Sequence, residues 1–513
     1  MNLKTFKTKY IQEQNLIFGG QHEEKDPRLG LKYFGPYHYP SETATLEKIR
    51  LGIIGNKSML EKSKEIIEMM GRPIDNQERN KWLYPPFPGM SPDSRFNCSI
   101  EVSESWQETI LQSEIDNLKE IIDSNERIGA AVQLYIKKIG NMLREDNLPD
   151  VVLCCLPSKI EEYCGISERT RGAKTPRPTK LEKDLQELKE KNQTFLADWG
   201  VDLNIEKETK VKGYDFHNAL KGKVIGLRSP VPTQLLREST ADAMLNYDGS
   251  KKKVRQEPAS FAWNFSTALF YKANGKPWRL AKLKQDTCYV GISFYIDKLT
   301  FNRDIQTSMA QVFAHSGEGL VLRGTEVYVD EKSKEPHLSE NQAKELLLDA
   351  LNNYTEIAGR TPTRVVVHKS SLFTKPEQRG FSDAIGNIKR DFVTITKRNK
   401  GIRFMRMGSY PVLRGTLISL TENEHILFTS GYVSRIRTYP GHSIPQPLLI
   451  IHEGDSEIKE ICNEILGLTK LNWNTTEFST ELPITLAFST KVGQILSELD
   501  KDIPLQNHYR FYM

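Results

Sequence analysis

His217, Lys221, Gln234 and Lys272 are the residues whose types and spacing suit one chemistry, the holding of an anion. His217 and Lys221 are four residues apart, which puts both on one face of a helical turn. Residues 224–227 are apolar and read as a strand, after which Pro230 and Pro232 deliver Thr233 and Gln234 to a helix start. An imidazole, an ammonium, a side-chain amide and the free N–H groups of a new helix would then converge. Lys272 joins from a separate element, and Arg237 lies one helical turn beyond Gln234. A lone His or Lys on a helix is usually structural or solvated, so the combination carries the reading.

The elements that must position these groups read as α/β. Residues 51–54 form a strand and the segment through Met70 a helix; an apolar face from Ile128 to Ile139 marks a long helix. Residues 151–156 are a buried-type strand, with a helix from Ser158. This alternation predicts a doubly wound sheet, in which ligands bind beyond the carboxyl ends of the strands. Residues 167–179 read as a basic, proline-broken loop and 181–192 as a charged, solvated helix. A second unit opens with a strand at 288–295. Strand candidates follow at 309–313, 319–322, 364–368, 417–420 and 425–429, and helices at 339–357, 381–388, 457–469 and 490–499. Ser339 with Gln342 three residues on forms a capping pair.

His217, Lys221, Gln234 and Lys272, with the order of the elements around them, resemble the 5′-phosphate pocket of the MID domain of Argonaute proteins. The C-terminal half looks like a PIWI domain, and the whole is similar to a short prokaryotic Argonaute. The resemblance implies a Rossmann-like MID domain at 96–285, a ribonuclease H-like PIWI domain at 286–513, and a lead-in at 1–95 to which no chemistry is assigned. It implies that the ring of His217 stacks on the first guide base while Lys221, Gln234 and Lys272 hold its phosphate. It further implies that the C-terminus docks between the domains, the Met513 carboxylate helping to hold a structural Mg2+ at that phosphate.

A cutting PIWI domain holds two divalent cations with clustered carboxylates. Carried onto this sequence, three of the four family positions fall on Ser293, Ser370 and Thr490. Asp297 and Glu377 are the neighbours able to substitute, and Glu318 reads as a turn residue. No catalytic residue is therefore assigned, and the expectation is a binding protein. The resemblance implies an RNA guide, a single-stranded DNA target from plasmid or phage, and a partner with an APAZ region joined to a TIR, sirtuin-like or nuclease effector. A nuclease with displaced ligands among Asp297, Asp304, Glu318 and Asp330, a nonspecific nucleic-acid-binding subunit and a purely structural subunit stay open as alternatives.

Composition bounds these readings loosely. A chain of 513 residues with 38% hydrophobic and 27% charged residues suits two or three globular domains, and a net charge of +5 does not single out a polyanion partner. Basic residues nevertheless cluster between Lys251 and Lys284, and again between Lys389 and Arg414. Each run reads equally as a solvated face or a binding surface. Lys369, Arg398, Arg403 and Arg406 are candidates for a nucleic-acid channel. Trp263 and Trp278 are assigned to the core. Six cysteines without a paired framework fit a reducing cytoplasm, with Cys154 and Cys155 as buried thiols. No apolar run reaches the ~20 residues of a membrane span.

Overall fold

A computed structural model describes residues 7–37, 46–76, 78, 80–165, 214–247, 257–284, 286–296, 305–313, 319–329, 335–397, 411–441, 444–500 and 502–513. Two sheets organise it. The first is wholly parallel and contains β2 (Lys48–Gly55), β3 (Ser99–Glu101), β4 (Gln107–Thr109), β5 (Val151–Leu156) and β6 (Thr233–Arg237). Its order is β3-β2-β5-β6, with β4 also on β2. The central strand β5, Val-Val-Leu-Cys-Cys-Leu, is apolar and buried throughout because both of its faces are covered. The first helix, α1 (Pro27–Phe34), precedes this sheet; Leu153 and Cys155 point to the core shared with helix α2 (Lys57–Met70), while Val152, Cys154 and Leu156 point to that of α3 (Ser124–Met142). The α3 helix starts where Asp123 accepts from the N–H groups of Asn125 and Glu126 at 2.9 and 2.8 Å, and buries Ile128, Ala131, Val132, Tyr135 and Ile139. This is the expected doubly wound arrangement, but β2 and α2 lie before residue 95, so the expected boundary there passes through the sheet.

The second sheet has nine strands in the order β1-β12-β13-β14-β11-β10-β7-β8-β9. Its members are β1 (Lys7–Tyr10), β7 (Thr287–Ile296), β8 (Ile305–Phe313), β9 (Gly319–Glu326), β10 (Arg364–Lys369), β11 (Lys389–Thr396), β12 (Thr416–Ser419), β13 (Glu424–Leu427) and β14 (Leu448–Gly454). The central trio β7, β10 and β11 is parallel and the flanking pairs are antiparallel. Helices α8 (Glu340–Ala358) and α9 (Lys375–Ile385) cover one face; α10 (Ile458–Leu468) and α11 (Ile484–Leu496) cover the other. Ser339 and Gln342 close a reciprocal cap at the start of α8.

Between the sheets in sequence come α4 (Ser158–Tyr163), α5 (Phe216–Ile225), α6 (Glu238–Leu245) and α7 (Pro258–Lys272). Three expected element assignments change. Residues 224–227 continue α5 and its end instead of forming a strand, since Val224 and Ile225 pack into the core as part of the helical stripe. Thr233 and Gln234 lie on strand β6, because the two prolines before them favour extended backbone. The last helix starts at Ile484, directly after Pro483, so Thr490 sits mid-helix.

Two buried features tie the second sheet together. At the start of β10, Arg364 bonds Asp391 at 2.8 Å and Glu464 at 2.6 and 3.1 Å. Burial alone would push the Asp391 carboxyl up, but hydrogen bonds from His452, Ser456 and Arg364 hold it well below its ordinary range. Gly291 in β7 lets the first turn of α11 sit against the strand, for a Cβ there would lie 2.3 Å from the Thr485 carbonyl oxygen. Gly291→Ala is therefore expected to destabilise the chain by about 1–3 kcal/mol through forced separation of α11 from β7. A lowered denaturation midpoint with unchanged m value checks this.

Candidate nucleic-acid interface

Four cationic or imidazole side chains gather between α5, β6, α7 and α11. Lys221, buried on α5, donates to the Thr233 carbonyl at 3.1 Å and reaches its hydroxyl at 3.4 Å. Lys272, in the last turn of α7 and 2% exposed, donates to Gln234 Oε1 at 2.5 Å. Lys491 comes from α11 and reaches His217 Nδ1 at 3.2 Å and Asn218 Oδ1 at 3.3 Å. His217 Nδ1 also lies 3.3 Å from Asn218 Oδ1, so the tautomer decides which of these contacts it makes, and burial with the neighbouring lysines favours the neutral ring.

None of these three lysines has a carboxylate ion-pair partner among the described residues. Burial is the first cause of their perturbation: it pushes Lys272 down to about 7, helped by the charge of Lys491. Burial, then the charges of Lys272 and Lys491, holds Lys221 well below the ordinary lysine range. His217 is likewise pushed well down by burial, then by Lys221 and Lys491. Lys491 is lowered by burial, with Asp215 opposing. Like charges held together out of water are costly unless an anion joins them. What the arrangement can do chemically is bind one compact, multiply charged anion.

The structure thus brings together His217, Lys221, Gln234 and Lys272, but corrects the surroundings. The helix N-terminus expected at Gln234 belongs to α6, and its N–H groups at Glu238 and Ser239 are taken by the Glu161 carboxylate. Arg237 is three residues from Gln234 on a strand, hence on the opposite face, where its charge acts on Glu161. The cluster also forms at the amino-terminal half of β6 and not beyond the carboxyl ends of the strands, because Lys221 reaches back to Thr233. Lys491 escaped the sequence reading. Its signal was present: it is the lone charged residue of ITLAFSTKVGQIL, the sequence of α11.

The C-terminus packs down as expected. Tyr509–Phe511 form a turn of 3-10 helix against α7, Tyr512 is fully buried and Met513 is 4% exposed. The Met513 carboxylate and the Gln234 amide oxygen are oxygen donors of the kind Mg2+ accepts, and a phosphate would supply further oxygens. Gln234 Oε1 is already engaged by Lys272, so an ion there would have to share that oxygen with the ammonium.

The positions aligned with catalytic carboxylates lie across β7, β10 and α11. Gly291 pairs with His368 and Ile292 with Lys369, so the next step of the register sets Ser293 beside Ser370 on the α11 face. Ser293 is buried and Ser370 exposed. Thr490 is exposed and turned away; the α11 residue that reaches this face is Thr485, whose hydroxyl meets His368 Nδ1 at 2.8 Å. Glu377 is committed elsewhere, accepting from Lys369, Leu338 N, Thr374 N and Thr374 Oγ1. Lys369 is correspondingly not a channel residue: its side chain is buried on Glu377 at 2.5 Å. Asp297, Asp304, Glu318 and Asp330, and the channel candidates Arg398, Arg403 and Arg406, lie outside the described residues. Residues 167–192, the expected loop and charged helix, do so too. Among the described residues no three or more His, Cys, Asp or Glu side chains gather to hold a metal, and no helix is long and apolar enough to cross a membrane.

No family model matches the sequence, and no curated protein matches it. Solved structures do. Clostridium butyricum Argonaute bound to a guide DNA and a 19-mer target DNA is similar over 97% of this chain and 54% of that one, with 15% identity and a TM-score of 0.62. The chain has an Argonaute fold. Drosophila Piwi matches over 98% of this chain and 56% of that one at 12% identity and TM-score 0.58. Marinitoga piezophila Argonaute, in complex with a 5′ OH guide RNA, matches over 99% and 60% at 13% identity and TM-score 0.55. The chain spans somewhat more than half the length of these Argonautes.

Lys491→Met removes one of the crowded charges while keeping most of its volume. The variant is expected to be more stable than the parent by about 1 kcal/mol without an anion, and to lose most of the melting-temperature rise that the parent shows with inorganic phosphate. A thermal melt with and without phosphate reads both. The pH dependence comes from Lys272: with its pKa at about 7 in the folded chain and near 10.4 unfolded, the unfolded state holds more protons between those values. Stability without an anion therefore rises as pH rises from about 7, and the stabilisation by phosphate fades over the same range.

Proposed function

We propose that the lysine cluster holds the 5′-terminal phosphate of a guide strand, and that the chain recognises single-stranded DNA by pairing with that guide without cutting it. The observation that carries this reading is the buried set Lys221, Lys272 and Lys491 around His217 and Gln234, in which none of the lysines has a carboxylate ion-pair partner among the described residues. A terminal phosphate, carrying close to two charges near neutral pH, matches that deficit better than a chain-internal phosphodiester with one. Mg2+ held by the Met513 carboxylate and phosphate oxygens belongs to the same reading. Sequence selection would be delegated to base pairing, with the protein contacting backbone.

An RNA guide, a target from plasmid or phage DNA, and output through a separate APAZ-containing TIR, sirtuin-like or nuclease partner complete the proposal. Ser293 and Ser370, one step beyond the last paired residues of β7 and β10, with Thr485 beside His368 on the same face, support binding without cleavage, since hydroxyls are poor ligands for a two-metal site.

The test is to purify the chain with its genomic neighbour and end-label the nucleic acid it carries. Short 5′-phosphorylated RNA of uniform length, lost in Lys221→Ala with Gln234→Ala, is expected; heterogeneous nucleic acid or none would contradict the reading. Loaded protein given Mg2+ and a complementary DNA is expected to leave that DNA intact, and guided cleavage of it would instead establish the nuclease alternative.

A further inference from the structure

Away from the lysine cluster, arginines over aromatic rings flank a small ribbon in which Leu16–Ile17 pairs with Glu23–Glu24 and with Arg279–Leu280. Residues 434–437 form a tight loop closed by the Val433–Thr438 bridge. Ile436 is fully buried at its centre, beside Val433, Phe478 and Leu83, and its carbonyl accepts from Asn80 at 3.3 Å. With Ile436 turned inward, Arg435 and Arg437 both come to the ring of Trp82, at 5.1 and 5.0 Å from its centre.

Arg435 is neutralised by a bidentate pair with Glu24 at 2.8 and 2.6 Å. Arg437 is exposed and has no carboxylate partner among the described residues. It also adopts φ 54°, a left-handed conformation that costs a non-glycine residue energy and is kept where the surroundings enforce it.

The pattern repeats across the ribbon. Arg279 stacks on Tyr37 at 4.6 Å and donates to Gln21 Oε1 at 3.3 Å, while its Nε is buried without a partner. Gln21 and Glu24, which anchor the two arginine-aromatic groups, are three residues apart, at most ~10 Å of backbone. Arg279 belongs to the basic run between Lys251 and Lys284 that the lysine cluster uses only through Lys272.

We propose that this strip is a second nucleic-acid contact, taking a single-stranded segment through phosphate bonds to Arg279 and Arg437 and base stacking on their guanidinium planes and on Trp82. The inference rests on the nucleic-acid-binding reading above but not on its 5′-phosphate pocket. Guanidiniums pre-oriented on rings, one carrying an uncompensated charge, are what sequence-tolerant recognition of single strands requires. A protein partner would also value Trp and Arg, but the unpaired, solvent-facing charge of Arg437 suits a polyanion better.

The experiment measures binding of the full chain to a 3′-labelled single-stranded RNA, with a 5′ phosphate and with a 5′ hydroxyl, over a range of salt. Trp82→Ala is expected to weaken both strands about tenfold. Arg279→Gln with Arg437→Gln should reduce the slope of log affinity against log salt by about 1.4, two phosphates at ~0.7 each. The preference for the phosphorylated end should survive in all of these and collapse in Lys491→Ala. Strip variants that melt like the parent yet keep its affinity and slope overturn the proposal, including the case in which they lose only a protein partner. Arg437→Gln, at an exposed site, guards against misfolding of the Trp82 variant. A Lys491→Ala chain that keeps the end preference would overturn the pocket while leaving the strip standing.

Discussion

Mutual repulsion among Lys221, Lys272 and Lys491 is the constraint on which the rest of the molecule turns. The three ammonium groups come from three different helices, and Lys221 and Lys272 are almost wholly out of water. Burial pushes all three pKa values down, and like charge adds to this at Lys221 and Lys272, so in isolation the cluster opposes the packing that creates it. The hydrophobic cores must overcome that opposition, and fully buried Leu220, Leu269 and Val492 stand next to the charged residues they hold in place. Destabilised, over-determined groups of this kind mark sites where a ligand supplies the missing interaction.

Helix α11 joins the two halves. Its first turn sits on Gly291 and touches His368 through Thr485, its middle delivers Lys491 to His217, and its end approaches Gly222 of α5 through the Ile495 and Glu498 carbonyls. The element that carries Lys491 into the lysine cluster thus also lines the strand ends where Ser293 and Ser370 lie. The chemistry differs at its two ends: lysines with no carboxylate ion-pair partner among the described residues at one, neutral hydroxyls and an imidazole that burial pushes down to about 3 at the other. One end is built for charge and the other is not.

Much of this was legible in the sequence. Apolar periodicity placed the strands at 151–156, 288–295 and 364–368 and the capped helix after Ser339, because burial on both faces and reciprocal capping leave local signatures. Trp263 and Trp278 were correctly read as core, where their indole N–H groups donate to Pro85 and Lys470 carbonyls. Residues His217, Lys221, Gln234 and Lys272 were found by their order, although the helix start imagined for Gln234 was a strand, since prolines announce a turn without fixing the conformation of the residues beyond it. Lys491 and the burial of Lys369 were hidden because both depend on contacts between elements far apart in the chain. A lysine bound for an ion pair and one bound for a ligand look alike until their neighbours are known.

The most direct measurement is the proton balance of binding, obtained by calorimetry at pH 8 in two buffers of different ionisation enthalpy. If an anion completes the lysine cluster, a 5′-phosphorylated strand should bind with net proton uptake, because the phosphate restores charge to lysines whose pKa burial has lowered, and the same strand with a 5′ hydroxyl should bind weakly and without uptake. Equal affinity for the two strands with no difference in proton uptake would show that the cluster is not a phosphate site.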